Sequence, residues 1–240
     1  MSNIIEEVKS LFKSTDFAFV VCGGFALDLF AGRQLREHGD FDILVFEKDR
    51  YRLLQFLANK GWLSFGRFED DIHIWHYLFY RVDNIKDNFW NDCKIFWVIK
   101  PDCLSNVLLR INRLKRHKPE VYTYNSREWL MQNELEYIEL AFGKREGNVF
   151  VVRENPRVTR RMDKAVLHYG GISYLAPEVV LFNKSDRYSS EKSYLKHKTK
   201  ASFEAIIPLL PRESQIWLSE AIDMAYPEGS PWLKGVFEKI

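Results

Sequence analysis

Two aspartates stand two residues apart in Glu37-His38-Gly39-Asp40-Phe41-Asp42-Ile43-Leu44-Val45, at the head of an apolar, β-rich run. In an extended strand residues i and i+2 point to the same side, so the Asp40 and Asp42 carboxylates project together. Two carboxylates on one face repel each other unless a cation lies between them. Hard oxygen donors of this kind suit Mg²⁺, which is held by one or two carboxylates plus substrate phosphates. The plain alternative is a pair of solvated acids at a strand end, since exposed acids need no partner.

A second feature lies just upstream, in Val20-Val21-Cys22-Gly23-Gly24-Phe25-Ala26-Leu27-Asp28. Gly23-Gly24 breaks an apolar run, and Phe25 to Ala31 continues as a short helix with Phe25, Ala26, Leu29 and Phe30 at helical spacing. Gly32 is its stop signal. Glycines before a helix let backbone N–H groups approach a phosphate, and the helix N-terminus adds partial positive charge. Alone, a Gly-Gly pair is usually only a turn. Followed by Arg33, Arg36, His38 and the paired aspartates, it reads as a phosphate site next to a metal site.

Those residues need elements to hold them. Phe17 to Cys22 reads as a short buried strand, and Ile4 to Phe12 as an amphipathic helix with Ile4, Ile5, Val8, Leu11 and Phe12 on one side. Tyr51 to Lys60 is a helix ending at Gly61. Ile72 to Tyr80 reads as a strand pair, and Lys94 to Ile99 as a short apolar strand ended by Pro101. Leu104 to Arg116 looks helical. Tyr137 to Phe142 and Val149 to Arg153 flank a Gly147-Asn148 turn, a hairpin pattern. Residues 174–240 are mostly helical, with Ser185 to Lys200 as a lysine- and serine-rich loop. The fold class is α/β (α+β): a mixed sheet with flanking helices and a C-terminal helical part.

In order, Gly23-Gly24-Phe25-Ala26-Leu27-Asp28, Gly32-Arg33 and Arg36-x-His38-x-Asp40-x-Asp42 resemble the signature of the aminoglycoside-2''-adenylyltransferase-like nucleotidyltransferases. The lincosamide nucleotidyltransferases, also of the polymerase-β-like superfamily, are similar. A second block, Ser173-Tyr174-Leu175-Ala176-Pro177-Glu178-Val179-Val180-Leu181-Phe182-Asn183-Lys184, resembles a downstream family block ending in lysine. A third runs from Phe203 through Trp217-Leu218 to Pro231-Trp232-Leu233. Three positions depart from the pattern. Thr199 and Ser202 stand where many relatives carry acids, and Ser230 stands where they carry a histidine.

The resemblance implies a catalytic domain over 1–155 and a mainly helical part over 156–240 sharing its cleft. It implies transfer of a nucleoside monophosphate, AMP from ATP, onto a hydroxyl of a small molecule such as an aminoglycoside or lincosamide antibiotic. Asp40 and Asp42 would hold Mg²⁺, two ions in all. A third carboxylate, Glu139, would complete a second metal site or take a proton; Glu136 is the runner-up and Glu134 lies close by. Gly23, Gly24, Arg36, His38 and Lys184 would contact the nucleotide. Other readings are a macromolecular acceptor, tRNA or protein, and a nucleotide-binding protein with impaired catalysis.

Composition narrows the classes. With 46% hydrophobic residues over 240 positions the chain has enough apolar side chains for a sizeable core. A net charge of +2 provides no global field for nucleic acid, which is the less favoured partner. Arg110, Arg113, Lys115, Arg116 and Lys118 read as a solvated helix face. Glu69, Asp70, Asp71, Asp83, Asp87 and Asp92 read as loop acids, with an acidic acceptor cleft as the alternative. His73 and His76 point to opposite strand faces and share no metal. The aromatics Trp75, Tyr77, Phe79, Tyr80, Phe89 and Trp90 read as core packing rather than a base-stacking surface. Ile4-Ile5 is followed at once by Glu6 and Glu7, unlike a signal peptide, and no run is long enough to span a membrane. Cys22, Cys93 and Cys103 have no metal-ligand spacing, which fits a reducing cytoplasm.

Overall fold

The computed structural model describes residues 2–69, 77–84, 86, 90–91, 93–110, 120–125, 134–153, 155–185 and 193–228. Its elements in chain order begin with α1 (Ser2–Phe12), β1 (Phe19–Val21), α2 (Gly23–Ala31), β2 (Asp42–Phe46), α3 (Arg50–Asn59), β3 (Leu63–Glu69), β4 (Tyr77–Arg81) and β5 (Ile95–Ile99). Then come α4 (Leu104–Val107), β6 (Leu108–Arg110), β7 (Val121–Tyr124), β8 (Tyr137–Glu146), β9 (Val149–Val151) and β10 (Thr159–Arg161). The last described elements are α5 (Met162–Ala165), β11 (Val166–Tyr169), β12 (Ile172–Leu175), α6 (Pro177–Ser185), α7 (Ser193–Ile206) and α8 (Arg212–Ala225). The class is mixed α/β. The chain folds as two compact units, Met1–Phe19 with Glu37–Phe142, and Val20–Arg36 with Gly143–Ile240.

In the first unit the strands run in the order β2-β8-β5-β3-β4-β7-β6. The pairs β8–β5, β5–β3, β3–β4, β4–β7 and β7–β6 are antiparallel. Side chains alternate across these strands. One face gathers Phe65, Phe79, Trp97, Ile99, Tyr122 and Tyr137 into a core cluster. Of the aromatics expected to pack in the core, Phe79 is fully buried and Trp90 nearly so, while Tyr80 is half-buried. Trp75, His76, His73 and Phe89 lie outside the described residues. Helix α1 buries Ile4, Ile5, Val8 and Phe12 along one stripe. Each such side chain contributes about 1.5–3 kcal/mol. Phe12 stacks on Phe56 of α3 with ring centroids 5.8 Å apart.

Gly66 is a glycine because of a close approach. A Cβ there would lie 2.5 Å from Cζ3 of Trp90 and 3.1 Å from the Cys93 sulfur. The Trp90 segment cannot give way freely, because the Arg50 guanidinium donates to the carbonyls of Trp90, of Cys93 at 2.7 Å and of Asn91 at 3.2 Å. Gly66→Ala is expected to destabilise the protein by about 1–3 kcal/mol through overpacking. A urea midpoint equal to that of the wild type would disprove this.

Two expectations fail here. Leu104 to Arg116 is not one helix: helix ends at Val107, and Leu108–Arg110 is a strand paired with Tyr122–Tyr124. Leu104, Val107 and Leu108 have helical spacing, but a ladder with β7 satisfies the backbone and buries Val107 and Leu108 in the core cluster. Arg110 is then a strand residue, ion-paired with Glu120 at 3.1 Å. The loop expected over Ser185 to Lys200 is also shorter, since α7 starts at Ser193.

In the second unit β1 pairs parallel with β12, and β11 pairs antiparallel with β12. The end of β8 pairs with β9 across a two-residue turn, Glu146 facing Val149, and β9 pairs with β10. Residues 24–29 of α2 are all buried, from Gly24 to Leu29, as expected of a helix enclosed on every side. It packs on α6, α7 and β12. Thr199 and Ser202 are buried on α7, and the Ser202 hydroxyl donates back to the Lys198 carbonyl at 3.0 Å.

Candidate active site

The site is built on β2 and β8 of the first unit. Phe41 is fully buried and its carbonyl accepts the Glu139 backbone N–H at 2.9 Å. Asp40 and Asp42 flank Phe41, and by strand alternation they project the other way. Their carboxylates meet that of Glu139: one ligand oxygen from each of the three lies within 4.8 Å of the others, and all three residues are half-buried.

Glu139 is held firmly. It stands opposite Trp97 in the β5–β8 register, and the Trp97 indole Nε1–H donates to Glu139 Oε2 at 2.9 Å. Arg67 Nη1 approaches the same oxygen at 3.4 Å. Tyr137, two residues before Glu139 and on the same face, is buried. Burial first, then the charges of Asp40 and Glu139, raise its phenol well above the usual range, so it is protonated at neutral pH.

Glu136 does not join the group. It precedes β8 and its carboxyl is raised by burial, then by Glu134, with Lys100 opposing. Three carboxylates about 5 Å apart, at an effective dielectric of ~20, repel by about 3 kcal/mol per pair. A donor set made only of hard oxygens relieves this by holding a divalent cation, and the chemistry fits Mg²⁺ rather than a thiolate- or imidazole-seeking metal.

The remaining candidates are placed as follows. His38 is buried, in the first unit. Gly23, Gly24, Arg36 and Lys184 belong to the second unit. The glycines do not precede α2 but form its first turn, two residues earlier than the apolar spacing suggests. Gly23 has φ 61, a left-handed conformation that glycine takes without a Cβ penalty. Helix α2 stops at Gly32, as its position predicts. Buried Asp28 accepts the Leu35 N–H at 3.0 Å and ties down the segment carrying Arg36. Lys184 is half-buried in the last turn of α6. Asp70, Asp71, Asp87, Asp92, residues 111–119 and Ser230 lie outside the described residues. Sequence reasoning missed Arg67 and Trp97. Arg67 alternates with Phe65 on one face of β3, which marks a charge on an apolar face, but nothing local points Trp97 at Glu139.

Residues 4–108 match the family model of Aminoglycoside-2''-adenylyltransferase. No curated protein matches the chain. Among solved structures the chain is similar to ANT(2'')-Ia in complex with adenylyl-2''-tobramycin, with 12% identity and a TM-score of 0.52 over 92% of this chain and 96% of that one. It is also similar to the lincosamide antibiotic adenylyltransferase LnuA, lincomycin-bound, with 13% identity and a TM-score of 0.43 over 82% of this chain and 93% of that one. The chain thus has the fold of a nucleotidyltransferase and, over residues 4–108, is similar to the aminoglycoside-2''-adenylyltransferase family.

Proposed function

We propose that this protein moves AMP from ATP onto a hydroxyl of a small molecule of the aminoglycoside or lincosamide antibiotic kind, in the cytoplasm. The observation that carries the proposal is the convergence of Asp40, just before β2, Asp42 on β2 and Glu139 on β8 in a nucleotidyltransferase fold. Those three residues would hold Mg²⁺, two ions, which when bound neutralise phosphate charge and stabilise attacking and leaving oxygens. Glu139 completes the second metal site or takes the proton of the acceptor hydroxyl. That oxygen bonds to the α-phosphorus in line while the bond to the bridging oxygen breaks and pyrophosphate leaves. Gly23, Gly24, Arg36, His38 and Lys184 contact the phosphates, and positioning provides most of the acceleration.

Thermal unfolding with each of the four NTPs, with and without Mg²⁺, tests the donor half. ATP at 100 times its Kd is expected to stabilise the protein by about 2.7 kcal/mol. Mass spectrometry of aminoglycosides and lincosamides incubated with ATP tests the acceptor half, with adenylylated product as the expected result. Adenylylation of tRNA or protein in place of these acceptors would refute the small-molecule reading, and no Mg²⁺-dependent shift with any NTP would refute the transferase reading.

A further inference from the structure

We propose that Trp97 is a positioning residue for Glu139, holding one carboxylate oxygen so that the other serves as ligand or proton acceptor. The inference rests on the reading of Asp40, Asp42 and Glu139 as a metal site. Oε2 of Glu139 takes both neighbours, the Trp97 indole N–H at 2.9 Å and Arg67 at 3.4 Å. Oε1 takes no hydrogen bond among the described residues. The two oxygens are therefore differentiated before anything binds.

The indole is suited to this because it is a donor only and cannot turn the carboxylate into a hydrogen-bond donor toward it. It is also immobilised. Trp97 is 7% exposed, and its ring lies 4.4 Å from that of Phe79, 4.9 Å from Tyr137 and 5.5 Å from Tyr124, centroid to centroid. A rotation of the Glu139 carboxylate would break a charge-assisted hydrogen bond and leave a buried N–H without a partner. Groups that hold a ligating carboxylate in this way typically govern metal affinity or activity by a factor of about 10–100 when removed.

The test is Mn²⁺ binding followed by electron paramagnetic resonance, with wild type, Asp40→Asn and Trp97→Phe. Trp97→Phe keeps an aromatic ring in the cluster and removes only the N–H and part of the ring volume. Folded Trp97→Phe is expected to bind Mn²⁺ about 10–100-fold more weakly. Its kcat falls in parallel and recovers as metal is raised, which a merely loosened fold would not give. Wild-type Mn²⁺ affinity and kcat in folded Trp97→Phe would overturn the positioning role while leaving the metal site standing. Equal binding by wild type and Asp40→Asn would overturn the metal site itself, and the positioning role with it. If Trp97→Phe does not fold, the indole N–H resonance of Trp97 in ¹⁵N-tryptophan-labelled wild type decides. It is expected to move on addition of Mg²⁺ and to stay in place in Asp40→Asn. A resonance indifferent to Mg²⁺ in wild type would overturn the proposal.

Discussion

Asp42→Asn, and equally Asp40→Asn, is expected to lower kcat for nucleotidyl transfer by a factor of about 10²–10³, roughly 3–4 kcal/mol of barrier. The exchange keeps the shape of the side chain and removes one negative charge from a group of three carboxylates whose ligand oxygens lie within 4.8 Å. Like charges held this close repel each other. Its repulsion is a cost to the fold, which removal of one charge relieves. The variants should therefore unfold at the same temperature as wild type or slightly above it while losing transfer. Rate measurements under saturating ATP and Mg²⁺, paired with thermal unfolding, separate the two effects. A folded Asp42→Asn protein with near-wild-type kcat would remove this pair from the chemistry.

The largest effect on stability is expected at a second, unrelated cluster. Arg160 on β10 donates from Nη2 to Glu178 Oε1 on α6 at 2.7 Å, and the Ser214 hydroxyl of α8 donates to the same oxygen at 2.9 Å. The guanidinium lies over the Trp217 ring, 5.0 Å from its centroid. Arg160 and Glu178 side chains are 8% and 3% exposed, so the pair has lost nearly all its hydration. Arg160→Met is expected to cost about 3–5 kcal/mol, because it leaves the Glu178 carboxylate buried and uncompensated. Combining it with Glu178→Leu should recover most of that loss, since no charge is then stranded. Urea unfolding of the single and double variants checks this. Equal losses in both would mean that the pair acts through packing alone and that its charge balance is irrelevant.

What the sequence determined by itself is local. Asp40 and Asp42 share a side because a strand alternates with period two, whatever surrounds it. The stop of α2 at Gly32 and the two-residue turn at Gly147-Asn148 follow from backbone freedom and turn chemistry within a few residues.

What the tertiary structure decided is register. Glu139, not Glu136, meets the aspartates because the Glu139 N–H bonds to the Phe41 carbonyl, almost a hundred residues earlier in the chain. A register shift of one residue would turn Glu139 to the opposite face of the sheet. The β5–β8 pairing sets Trp97 against Glu139, and the β3–β5 pairing sets Phe65 against Trp97, with Arg67 further along the same face. Leu108–Arg110 became a strand for the same reason, a partner in β7 outweighing a helical spacing of its own. Periodicity tells which side a residue faces. Which residue stands opposite it is a property of hydrogen bonds between distant strands, and no local pattern encodes that.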